Sequence, residues 1–104
     1  MLINKGYSDN DIVTFKILNG DELVARIVRE DADQYVLAQP MSVVPSQQGI
    51  GLMQALFSVE PKSEIALKKT HVMLHSKTVD AIADHYRELT TGIKTIRNES
   101  RIIV

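Results

Sequence analysis

His71 and His75 stand four residues apart, the spacing at which two imidazoles on one helix face bind a zinc ion. The stretch that carries them has the pattern of a strand. There, residues i and i+4 share a face but lie roughly 13 Å apart, too far to share one ion. No metal site is therefore expected. Glu30, Asp31 and Asp33 bring three carboxylates together. They sit where the chain must turn, and aspartate there caps its own backbone, so no catalytic pair is expected either. Cysteine is absent, which excludes disulfides, thiolate metal ligands and thiol nucleophiles. Gly49-Ile50-Gly51 has neither the lysine nor the helix of a phosphate loop, and no Gly-x-Ser-x-Gly elbow exists. The expectation is a protein without cofactor or catalytic centre.

Two groupings remain. Lys68-Lys69-Thr70-His71 places cationic and polar donors in one loop, and Asp33-Gln34-Tyr35 places a carboxylate, an amide and an aromatic ring at a strand end. Stacking, base-edge hydrogen bonds and phosphate neutralisation are the means by which single-stranded RNA is read. The candidate RNA contacts are Gln34, Tyr35, Lys68, Lys69 and His71. Tyr35 would stack on a base, Gln34 would read its edge, and the lysines would meet phosphate. The competing reading buries Tyr35 in the domain and leaves the lysines in solvent.

The elements that must position these residues follow from periodicity. Val13, Phe15 and Ile17 alternate with Thr14 and Lys16, a half-buried strand. Asn19-Gly20 is a hairpin turn signal, and Leu23, Ala25 and Ile27 alternate in the strand after it. Asp31-Ala32-Asp33 turns the chain into a third strand from Gln34 that bends or lies on an edge at Pro40 and Pro45. A fourth strand is expected over Ile50–Val59, and extended segments at Ile65–Leu67 and His71–His75. The period then becomes 3.6: Val79, Ile82, Ala83, Tyr86 and Leu89 form one stripe of a helix over residues 77–92. Ser76 or Thr78 is its expected N-cap and Gly92 its C-cap. Residues 1–10 read as an N-terminal arm, and residues 97–104 as a tail that ends in aliphatic side chains.

The chain has 104 residues, 12 Lys+Arg against 13 Asp+Glu and a net charge of -1. That is a single domain with no basic excess to announce nucleic acid. Met1-Leu2-Ile3-Asn4-Lys5 turns polar too soon for a signal peptide, and no apolar run approaches the roughly 18 residues of a membrane span. The expected location is cytoplasmic, with no membrane partner.

The segment from Ile12 to Leu37 resembles the first motif of the Sm, LSm and Hfq family: alternating apolar residues, Asn19-Gly20, a strand with small Ala25 at the family's usual glycine, Asp31, and Tyr35-Val36-Leu37. Ile65–Leu74 is similar to the second motif, with Lys68-Lys69 in place of its Arg-Gly pair. Tyr35 occupies the column of the family's base-contacting asparagine. Tyr35-Val36-Leu37-Ala38-Gln39-Pro40 also looks like a segment of the small Sm-like proteins of marine phages. The resemblance implies a mainly β fold: a strongly bent, five-stranded antiparallel barrel of SH3 type over residues 11–75, followed by the C-terminal helix. It implies a non-catalytic ring of identical subunits, closed by pairing the fourth strand of one with the fifth of the next, that binds single-stranded RNA. The alternative is a phage-encoded structural or protein-interaction module that keeps the ring without RNA binding.

Overall fold

In the computed structural model, which describes residues 6–91, two hydrophobic clusters lie on opposite faces of one sheet. Strand β1 (Ile12–Ile17) shows why. Its alternation sends Val13 and Phe15 into one cluster with Ala25, Ile27, Tyr35 and Leu37. Ile12 points the other way and meets Val24, Ala83 and Tyr86. The buried members of the first cluster come from strands alone; the helix adds Ala83 and Tyr86 to the second.

The remaining strands are β2 (Glu22–Glu30), β3 (Gln34–Ser46), β4 (Gly49–Gln54), β5 (Glu64–Lys68) and β6 (Val72–Lys77). A 3-10 turn, Lys69–His71, joins β5 to β6. Helix α1 (Asp80–Thr91) follows. All strand pairs are antiparallel, in the order β4-β3-β2-β1-β6, with β5 also on β3.

Gly20 closes the first hairpin at φ 95°, a conformation that side chains rarely adopt. The space around it is open, so Gly20→Ala would strain the backbone alone. The expected loss is about 1 kcal/mol in urea denaturation. An unchanged midpoint would show that the turn relaxes freely.

The expected barrel of five strands is, among the described residues, a sheet of six that does not close. All six expected extended segments form strands, and the expected Ile50–Val59 strand ends early, at Gln54. The cause lies in β3. Gln39 has φ 49° and Pro40 has no N–H to donate, so β3 bends there. Its outer edge pairs with β4 from Met41 onward and with β5 from Gln34 to Ala38. Against β2, Gln39 and Pro40 together face Ala25, a bulge that sharpens the bend.

The helix also differs from its sequence pattern. Thr78 bonds its hydroxyl to that of Thr14 at 2.8 Å, and Ser76 bonds its own to Lys77 O at 3.3 Å, so neither caps α1. Val79 O instead accepts from the amides of Ile82 and Ala83. The buried stripe is narrower than expected: Ala83 and Tyr86 are buried, while among the described residues Val79 and Leu89 stay exposed. The expected C-cap Gly92 and the tail 97–104 lie outside the described residues. The expected arm is in part domain: Tyr7 packs against the first cluster, and Asn10 N donates to Ile27 O at 2.8 Å.

Candidate functional site

The β5 register puts Gln34 opposite Lys68 and Tyr35 opposite Leu67. Lys69 follows in the 3-10 turn, with its amide on Asp33 O at 3.0 Å. Gln34, Tyr35, Lys68 and Lys69 therefore meet at one end of the sheet. His71 closes the same turn and is exposed, and its carbonyl accepts from Leu18 N at 2.9 Å.

The side chains are largely committed to one another. Tyr35 is 5% exposed and packs on Phe15, with ring centroids 5.0 Å apart. It has no open face on which a base could stack. Gln34 Nε2 donates to Asp31 Oδ2 at 3.2 Å. Lys69 Nζ donates to Glu30 Oε2 at 2.6 Å and lies 5.1 Å from the centre of the Tyr35 ring, a cation–π contact. Of the five, Lys68 and His71 present exposed side chains that meet no partner among the described residues.

Three further residues join this cluster: Glu30 and His75, which the sequence pattern groups with other residues, and Tyr7, which it leaves in the arm. Tyr7 Oη and His75 Nδ1 are 2.6 Å apart, and both rings lie near Tyr35. Glu30 Oε1 accepts from Tyr7 N at 3.4 Å. Gly6 makes that approach possible, since a Cβ there would sit 2.5 Å from the same oxygen. The lead-in segment is thus clipped to the sheet by Glu30 on its backbone and His75 on its side chain. The arrangement fixes chain segments; it offers no free base beside a free nucleophile. Among the described residues no group of three or more His, Asp or Glu could hold a metal ion, and no helix is long and apolar enough to cross a membrane.

Electrostatics follow from the same contacts. The Lys69 hydrogen bond holds the Glu30 carboxyl below its ordinary value, and the Tyr7 amide helps. The same bond raises Lys69. Burial raises Tyr35, with the Glu30 charge adding to it, and burial likewise raises Tyr7. A depressed carboxylate stabilises the fold above its unfolded pKa, and that contribution is lost as pH falls through the folded value. A raised lysine contributes below its unfolded pKa and loses that contribution as pH rises through the folded one. The pair is therefore fully effective between about pH 5 and 10. Glu30→Gln should cost about 1 kcal/mol or less at pH 7, because the pair is partly solvated. It should cost less near pH 3, because the contribution fades as the carboxylate takes up a proton. Urea denaturation of both proteins at the two pH values measures this, and an equal difference at both would remove the ion pair as its source.

No known protein-family model matches the sequence, and no curated protein matches it.

On the other side of β3, an apolar groove of about 390 Å³ runs between β4, β5 and the end of α1, with Met41, Leu52, Leu56, Val59, Ile65 and Leu89 in its walls. β4 stops at Gln54, and the loop to β5 supplies Leu56 and Val59 to the groove wall. Phe57, 74% exposed, stands in that loop.

Proposed function

We propose that this chain is a non-catalytic, Sm-like module that assembles with copies of itself into a closed ring and serves as a structural or protein-interaction unit. One observation carries the reading: among the described residues the sheet has two open edges, at opposite ends of its strand order. β6 is one, with Met73 and Leu74 exposed; β5 and β4 form the other, with Ile50 and Met53 exposed. Unpaired edges with apolar side chains attract further strands, and proteins normally cover or blunt them. Edges of different identity join head to tail, and such contacts close into rings when the rotation permits. In the Sm family the fourth and fifth strands make this contact, and their counterparts here are β5 and β6. The 3-10 turn between β5 and β6, within the segment similar to the second Sm motif, agrees with that assignment. If phage-encoded, as the Tyr35–Pro40 resemblance suggests, the module works in the cytoplasm of a bacterial host.

RNA reading is the weaker alternative. Tyr35 is buried, Lys69 is paired with Glu30 and Gln34 is held by Asp31, so three of the five expected contacts serve the fold. Only Lys68 and His71 face outward, which leaves a small phosphate-neutralising term for each subunit.

Native mass spectrometry at micromolar concentration tests the proposal. A multiple of 11.6 kDa is expected, and a mass of 11.6 kDa would overturn it. Mobility shifts with labelled oligo-U and oligo-A at roughly 50 mM salt, where phosphate contacts are strong, separate the two roles. No shift is expected; a shift abolished by Lys68→Ala would restore the RNA reading.

A further inference from the structure

A charge without a counter-charge stands on the helix side of the sheet. Arg26 projects from β2 beside the bulge. Its Nη2 donates to Gln39 Oε1 at 2.9 Å, and Gln39 Nε2 passes the chain of bonds on to Thr90 O at 3.4 Å. Its Nε is buried and has no hydrogen-bond partner. Among the described residues Arg26 forms no ion pair. A partly buried cation left in this state is costly, and an anion nearby would relieve it.

The surroundings can hold one. Arg26 lines a pocket of about 260 Å³ with Asn10, Ile12, Tyr86, Arg87 and Thr90. Arg87 is at its rim. Its guanidinium pairs with Asp84 at 3.0 Å, but both side chains are more than half exposed, so the pair is weak and easily exchanged. The end of α1 contributes about half a negative charge. Two guanidiniums outweigh that half charge and Asp84 together. The pocket is smaller than the ~300–1,000 Å³ of sites for drug-sized ligands, so it suits one small group rather than a nucleotide. The planar donor forks of arginine match the oxygens of a phosphate.

We infer that this pocket binds a small tetrahedral oxyanion of the phosphate class, held by Arg26 at its floor and Arg87 at its rim, with the Asn10 side chain beside them. The site stands apart from the sheet edges, so it does not depend on ring assembly. Bound there, phosphate would tie the last turns of α1 to β2 and to the turn before β1.

The test uses the full chain and inorganic phosphate. Thermal unfolding is followed in phosphate, acetate and chloride at one ionic strength, with phosphorus NMR line broadening as a direct measure of binding. Phosphate alone should raise the midpoint, in proportion to the logarithm of its concentration above saturation. Arg26→Gln should abolish the effect. Since Arg26 is part of the fold, Arg87→Gln provides the second readout: it changes an exposed side chain and should weaken binding at least roughly tenfold, as loss of a charged hydrogen bond does. An equal rise in acetate, no rise in phosphate, or wild-type affinity in Arg87→Gln would each overturn the inference.

Discussion

Tyr86→Ala is expected to cost about 3–5 kcal/mol, as truncation of a large buried aromatic side chain does. That is a large part of the roughly 5–15 kcal/mol that holds a small domain folded. Tyr86 is 1% exposed and is the main anchor of α1 on the sheet. Its hydroxyl also repairs the ladder where the sheet bends. The bulge at Gln39-Pro40 leaves backbone groups of β2 and β3 out of register. Tyr86 Oη donates towards Ala38 O at 2.8 Å and Gln39 O at 3.0 Å, and it accepts from Arg26 N at 3.1 Å. Removing the ring opens a cavity; removing the oxygen alone leaves buried polar groups unpaired. Tyr86→Phe should therefore cost about 1–3 kcal/mol, separating the two contributions. Denaturant unfolding with an unchanged m-value measures both. A loss below about 1 kcal/mol for Tyr86→Ala would show that the helix does not depend on this anchor.

His75→Pro should reduce the assembly to single chains of 11.6 kDa while leaving the fold intact. The argument rests on which way the backbone of β6 points. Thr78 N donates to Ile12 O at 3.0 Å, and the register continues in steps of two through Thr14 with Ser76 and Lys16 with Leu74, before it shifts at Met73. Antiparallel ladders alternate, so Leu74 and Ser76 address β1 while His75, opposite Phe15, turns its amide to the open edge. Proline at His75 deletes an outward donor and no backbone bond to β1, the one place in a sheet where proline is tolerated. His75→Ala is the control. It loses the same side-chain contact with Tyr7 but keeps the N–H, so assembly should survive it. Circular dichroism confirms that both variants are folded. If His75→Pro assembles like the wild type, β6 is not the joining edge.

Much of the architecture was legible because it is local. Alternation in Val13–Ile17 and Leu23–Ile27 marks two strands, and Asn19-Gly20 sets the turn between them. The change to a 3.6-residue period after Ser76 marks the helix, to within a few residues at its start. These signals depend on neighbours a few positions apart. The end of β4 was not legible, because it is decided by a bend at Gln39-Pro40 in another strand. The exposure of Val79 and Leu89 was hidden for the same reason: a stripe shows which side chains share a face, not how far the opposing surface extends.

The candidate site divides along the same line. Sequence alone determined that Gln34, Tyr35, Lys68 and Lys69 stand at strand ends and that no cysteine or phosphate loop supplies chemistry. Tertiary structure decided what those residues can do. Lys69 meets Glu30, 39 residues away in the chain, and Tyr35 meets a Tyr7 that the pattern placed in a loose arm. Alternation orders side chains along a strand, but whether a ring is covered or a cation is neutralised depends on which distant segments fold against it. Only packing brings those segments together.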